Sequence, residues 1–317
     1  MISPLTVIAS VLPVYILIIA GALLRKTQVL KSEHDHGIMR VIFSVMLPCF
    51  ILDRILGAEI LRSGPVVVWS IALGFILIHS GLLIGWWAGR ALGLEHGTGR
   101  RTFTLTAGVQ NYGFTAIPVV EILWGGSAVG LLFVHNIGTE LGLWSTGVMI
   151  MSGERGISWR RLANGPMIAA LVGILLVILH LDHKITGPVR EAMSMIGTGA
   201  FPLAILITGA SIMDLAMAEK PTWKITVGSI LVRLLLAPAA ILASAKFLPI
   251  AAELKQILVV QAAMPAAMTP ILLARLYGGR PAIAVQIVVG TTVASLATLP
   301  LIITWSVRWL DLKPLLP

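Results

Sequence analysis

Charge is what this sequence has least of. Of its 317 residues only 12% are Asp, Glu, Lys or Arg, roughly half the share of a water-soluble domain. A surface facing water on all sides cannot be drawn from so small a supply, and no polar stretch is long enough for a separate soluble domain. Cysteine is nearly absent too. Cys49 stands alone, which excludes an internal disulfide and a cysteine-built metal cluster. Acidic residues number 14 against 23 basic ones, but the basic residues fall in short clusters between apolar runs, without a stripe of basic and aromatic residues. The positive excess therefore reads as a topology signal and not as a nucleic-acid surface. No phosphate-binding loop, nucleophile elbow or His–Asp arrangement occurs, which argues against ATP-driven transport and intramembrane hydrolysis. No metal, cofactor or catalytic group is expected.

What the chain does have is apolar length. Hydrophobic residues make up 57% of it, with a mean hydropathy of +0.95. A helix needs about 20 apolar residues to cross a bilayer. Ten such spans are expected, at 4–24, 38–56, 65–92, 102–124, 129–151, 166–181, 188–213, 223–247, 254–277 and 282–309, in a single transmembrane domain of residues 1–317. Met1 to Val11 carries no Lys or Arg ahead of its apolar run, so the first segment is expected to remain as a spanning helix and not to be a cleaved signal. Loops after odd-numbered spans hold 13 Lys and Arg, among them Arg25, Arg100, Arg155, Arg160, Arg161 and Lys220, against 8 after even-numbered spans and in the tail. By the positive-inside rule both termini face outside.

The second half echoes the first. Pro13 and Gly21 of span 1 correspond to Pro166 and Gly173 of span 6, and Met39, Ile42 and Pro48 of span 2 to Met193, Ile196 and Pro202 of span 7. The stretch Gln110 to Pro118 in span 4 corresponds to Gln261 to Pro270 in span 9, and Gly138-Thr139 in span 5 to Gly290-Thr291 in span 10. The matched residues lie 151 to 154 positions apart. A half of five spans is odd in number, so the second half (160–317) enters the membrane inverted relative to the first (1–153). Inverted repeats of this kind mark secondary transporters.

Spans 4 and 9 carry the chemistry. Pro118 and Pro270 each remove a backbone donor in mid-membrane, and Gly108, Gly113 and Pro265 loosen the same regions. Each span is expected to break into half-helices, since proline suits the first turn of a new helix. Half-helix N-termini present free N–H groups and a positive dipole end, an arrangement that binds anions. Gln110, Asn111, Thr115, Gln261 and Thr269 add neutral donors and acceptors beside the breaks. A plainer reading is a pair of proline kinks whose polar side chains satisfy freed backbone.

Span 5 holds His135, Asn136 and Glu140. Ionisable groups at that depth cost roughly 2.5–3.5 kcal/mol and face a cavity or a partner. Either Glu140 or His135 carries a coupling proton or cation, or the group is structural and pairs with Arg233 of span 8. Asp53 and Asp214 are expected at the interface, and Glu121 in an outer vestibule. Glu33, His34, Asp35 and His36 lack metal-ligand spacing and are expected in a solvated loop.

The chain resembles the auxin efflux carrier family, which includes bacterial dicarboxylate and malonate permeases and the plant PIN-FORMED proteins. The resemblance covers nearly the whole length and is strongest in LPVYILIIAGALLRK (12–26), MLPCFIL (46–52), QNYGFTAIPVVEILWG (110–125), FPLAILITGASI (201–212) and QAAMPAAMTPILLARLYGG (261–279). It implies an all-α crossover fold like that of bile-acid/sodium symporters and sodium/proton antiporters. Spans 1, 2, 6 and 7 would form a scaffold, and 65–151 with 223–309 a mobile transport domain. It also implies that Asn111 contacts a substrate carboxylate, and it suggests a homodimer through the scaffold. The cation ligands of the sodium-coupled relatives have no recognisable counterparts here. The expected function is secondary transport of a small organic anion across the bacterial inner membrane. A proton or cation exchanger using Glu140 and His135, and a non-transporting receptor, are the alternatives.

Overall fold

The computed structural model describes residues 4–94, 98–113, 115–153, 164–216 and 222–313. Arg155, Arg160, Arg161 and Lys220, and the seam between the two expected repeats, lie outside these residues. Among those described, every regular element is a helix.

The first half runs α1 (Pro4–Lys26), α2 (Ser32–Val41), α3 (Leu47–Ile55), α4 (Gly64–Ala91), α5 (Thr98–Gly108), α6 (Ala116–Trp124), α7 (Gly126–Gly142) and α8 (Val148–Ser152). The second runs α9 (Gly165–Ile178), α10 (Pro188–Thr198), α11 (Ala200–Ala216), α12 (Trp223–Leu231), α13 (Ala237–Phe247), α14 (Ala252–Ala263), α15 (Thr269–Leu276) and α16 (Pro281–Trp309). Four stretches are long and apolar enough by composition to cross a bilayer: Gly64–Ala91, Pro188–Asp214, Trp223–Phe247 and Pro281–Trp309. Val68, Ile76 and Leu83 of α4, Leu171 and Leu175 of α9, and Val293 and Leu301 of α16 are exposed. Outward apolar rows of this kind suit a lipid solvent. The protein is an integral membrane protein.

Wide π turns interrupt the helical runs at Ile42–Met46, Leu143–Gly147 and Val232–Leu236. Two have a cause in the sequence. Pro48 and Pro238 follow them, and a proline that cannot donate to the carbonyl four residues back widens the turn before it. Glu33, His34, Asp35 and His36 are not in a loop but in the first turns of α2, which begins without a side-chain cap at Lys31.

Small residues set the closest approaches. A methyl group at Gly138 of α7 would lie 1.9 Å from the Ile71 carbonyl oxygen of α4, and one at Gly209 of α11 would lie 1.9 Å from that of Ile18 in α1. Only glycine lets these backbones meet, the usual means of packing helices where lipid offers no hydrophobic drive. α4 thus packs on α5 and α7, α12 and α14 on α16, α1 on α11, and α3 on α9 and α10. Three ion pairs gather at one end of the bundle. Arg54 of α3 pairs with Glu121 of α6, Arg190 of α10 with Asp53 at 3.3 Å, and Arg62 with Asp182 at 3.2 Å.

Candidate functional site: a crossing of two interrupted helices

α5 stops at Gly108 and the chain restarts as α6 at Ala116; α14 stops at Ala263 and restarts as α15 at Thr269. The two connecting stretches run antiparallel and pair, Gln110 against Ala266. The Asn111 N–H donates to the Pro265 carbonyl at 2.7 Å, and the Ala267 N–H to the Val109 carbonyl at 2.9 Å. Backbone groups released by one interruption are therefore satisfied by the other, as buried polar groups in a membrane require. Pro118 and Pro270 fall in the first turns of α6 and α15, where a helix has no use for a proline's missing N–H.

Side chains complete the accounting. Asn136 of α7 donates its amide to the Tyr112 carbonyl at 2.9 Å, and Gln261 donates to the Asn136 side-chain oxygen at 3.3 Å. Asn111 donates to the Thr115 hydroxyl at 3.0 Å. The Thr291 hydroxyl of α16 accepts the Ala266 N–H at 3.2 Å. Arg233, fully buried, donates to the Gly108 carbonyl at 3.1 Å. A cation there meets the negative end of α5.

Beside the crossing lies a cavity of about 620 Å³. Its polar floor is Asn111, Tyr112, Asn136, Glu140 and Thr269, and its walls are mostly apolar side chains from the α2–α3 run, α9 and α11. The sequence profile of the membrane transport protein family matches residues 6–158 and again 149–303. The chain belongs to that family. Its resemblance to the auxin efflux carriers places it in the same group. A protein of Methanothermobacter thermautotrophicus described as an uncharacterized transporter is 26% identical over 304 residues, 94% of this chain and 97% of that one.

The transporter's candidate residues divide around the cavity. Asn111, Thr269, Asn136 and Glu140 line it; Gln110, Thr115, Gln261, Pro118, Pro270 and His135 do not. Gln110, Thr115 and Gln261 are buried behind the floor, where Thr115 accepts from Asn111, Gln261 donates to Asn136 and the backbone of Gln110 pairs with that of Ala266. His135 is fully buried against α4, its carbonyl packed on Gly74. The two ionisable candidates of span 5 are thus separated, and Glu140 alone faces the cavity. The suggested pairing of Arg233 with span 5 is replaced by its bond to Gly108. Glu121 is engaged by Arg54, Asp53 by Arg190, and Asp214 by Arg25 at 3.0 Å.

Two residues of the site are not among the candidates that the sequence points to. Tyr112 donates its hydroxyl to one Glu140 oxygen at 2.7 Å, and the Trp144 indole N–H donates to the other at 2.5 Å. Each had a signal. Trp144 stands four residues after Glu140, on the same helix face, and a phenol in the span requires a partner. Trp144, Phe43 of the cavity wall and Arg233 all sit in π turns, which re-aim side chains and recur at functional sites.

Proposed function

We propose that this transporter is a secondary carrier of small organic anions, in which a carboxylate head sits on the crossing and an apolar body lies against the cavity wall. One observation carries the reading: the cavity's floor is the crossing itself, where polar side chains and backbone ends converge beside otherwise apolar walls. Asn111 spends one of its two amide hydrogens on Thr115, which leaves the other for a substrate oxygen. Thr269 opens α15 on the same cavity, its side chain bonded to Tyr112, near a helix N-terminus that favours negative charge.

In this reading ten spans form two inverted five-helix repeats. The scaffold (4–24, 38–56, 166–181, 188–213) holds still while 65–151 and 223–309 carry the crossing across the bacterial inner membrane, with both termini outside. The cavity's lining extends to Asn164 and Pro166 at the start of α9 and to Ser211 towards the end of α11, the inner side by this orientation. Arg54 and Glu121 join scaffold to transport helices at the other end, as a closed outer side requires. A homodimer through the scaffold fits the same scheme.

The test is flux. Purified protein in liposomes should accumulate labelled aromatic or aliphatic monocarboxylates, and Asn111→Ala should lower that flux by about tenfold or more, the cost of one hydrogen bond to a charged group. The position of Glu140 on the cavity favours one second reading, a proton or cation exchanger. Proton or sodium flux with no organic anion would establish it, and binding without any flux would indicate a receptor.

A further inference from the structure

The cavity's charge is wrong for an anion. Among its described lining residues Glu140 and Tyr112 are the titratable ones, and no Lys, Arg or His joins them. The polar groups that bond Glu140 or share its cavity are all neutral: Tyr112 and Trp144 donate to it, and Asn164 at the cap of α9, Thr208 and Ser211 of α11 and Thr269 of α15 line the same cavity. The nearby cations do not line the cavity. Arg25 pairs with Asp35 and Asp214, Arg54 pairs with Glu121, and Arg233 lies behind the floor on Gly108. An ionised Glu140 and a substrate carboxylate about 5 Å apart, at an effective dielectric of about 20, would disfavour each other by a factor on the order of a hundred.

We propose that Glu140 is the proton site of the transport cavity: a carboxylate substrate enters as Glu140 takes up one proton, and the two cross together. This rests on the organic-anion reading above. The balance is simple. A hydronium ion or buffer acid gives a proton to one Glu140 oxygen, so one bond to hydrogen breaks in the donor and one O–H bond forms on Glu140; none breaks in the substrate, and a monocarboxylate plus a proton moves no net charge. Tyr112 and Trp144 each donate to a different Glu140 oxygen, so the ionised form is held by two neutral donors while each oxygen keeps a lone pair for the proton. Once protonated, Glu140 is itself a donor and adds a hydrogen bond to the substrate carboxylate. The group that repels the anion becomes one that holds it.

The experiment uses the purified full-length protein with phenylacetate and benzoate as probes, titrated calorimetrically at pH 8 in two buffers of different ionisation enthalpy. The wild type should take up close to one proton per bound probe, and its affinity should fall about tenfold per pH unit once Glu140 is ionised in the free protein. Glu140→Gln should take up none, bind at pH 8 on the order of a hundredfold more tightly than the wild type, and hold that affinity flat from pH 6 to 8. Probe binding without proton uptake by the wild type overturns the inference and leaves the carboxylate reading standing. An unchanged pH dependence in Glu140→Gln also overturns it, because the proton would then travel on the substrate. Absence of binding by either probe, in both proteins from pH 5 to 8, overturns the carboxylate reading and the coupling with it. The wild-type proton count decides the matter even if Glu140→Gln does not fold.

Discussion

The two interruptions face the same problem, backbone polar groups stranded in an apolar solvent, and meet it with different chemistry. Between α5 and α6 the work is done by polar side chains. Arg233 takes the Gly108 carbonyl, Asn136 takes that of Tyr112, and Asn111 and Thr115 bind each other. Between α14 and α15 the chain is Met264, Pro265, Ala266, Ala267 and Met268, and a single hydroxyl, that of Thr291, serves the Ala266 N–H. The second stretch is a short template that pairs with the first, whereas the first also presents polar atoms to the cavity. Damage to the first should therefore reach binding as well as stability, whereas damage to what holds the 264–268 stretch in place should stop at stability, the restart residue Thr269 apart.

Asn136→Ala is the harshest way to test that difference. It leaves the Tyr112 carbonyl and the Gln261 amide without partners in a buried network, at about 1–3 kcal/mol for each group stranded. A large fall in melting temperature in detergent and loss of carboxylate flux are expected together. Thr291→Val is the matching cut on the other side. It strands one N–H, at about 1–3 kcal/mol, and should lower the melting temperature while probe affinity of the folded fraction stays within about twofold. Thr291→Ser should restore the loss. If Thr291→Val weakened binding as much as Asn136→Ala, the two interruptions would not differ in role.

The asymmetry also marks what can be read from a sequence. Pro118 and Pro270 show where helices restart because a first-turn proline is a local matter of one missing donor. The pairing of Gln110 with Ala266 is not local, and nothing in either stretch names its partner. The sequence suggests an ionisable partner in span 5 for Arg233, but its partner is a backbone carbonyl, a kind of acceptor that every residue carries and none advertises. Gln110 and Gln261 have the right chemistry for a ligand and the wrong side of the backbone, which only packing decides. His135 and Glu140 sit five residues apart, a spacing that already turns them to different helix faces. The helical character of α2 was hidden because Lys31 provides no cap and Gly37 weakens the turn, and the segment is held as the leading end of a longer run.

The smallest effect sharpens the comparison most, because it sets the two restart residues side by side. Thr115 precedes α6 and is buried, its hydroxyl spent on Asn111; Thr269 opens α15 and faces the cavity. Thr115→Ala removes one neutral hydrogen bond, worth about 1 kcal/mol, and frees Asn111 to rotate. Ordering Asn111 is then a cost of binding that the wild type has already met, so probe affinity should fall about fivefold with a slight loss of thermal stability. Thr269→Ala should weaken the same probes by a similar factor by removing a hydroxyl at the cavity, with a slight loss of thermal stability because that hydroxyl also bonds Tyr112. The double substitution tells these routes apart. Independent contributions multiply to about twenty-five-fold, whereas a combined weakening no greater than either alone would mean that both threonines act through one shared position of Asn111, and the restart of α15 would not touch the substrate at all.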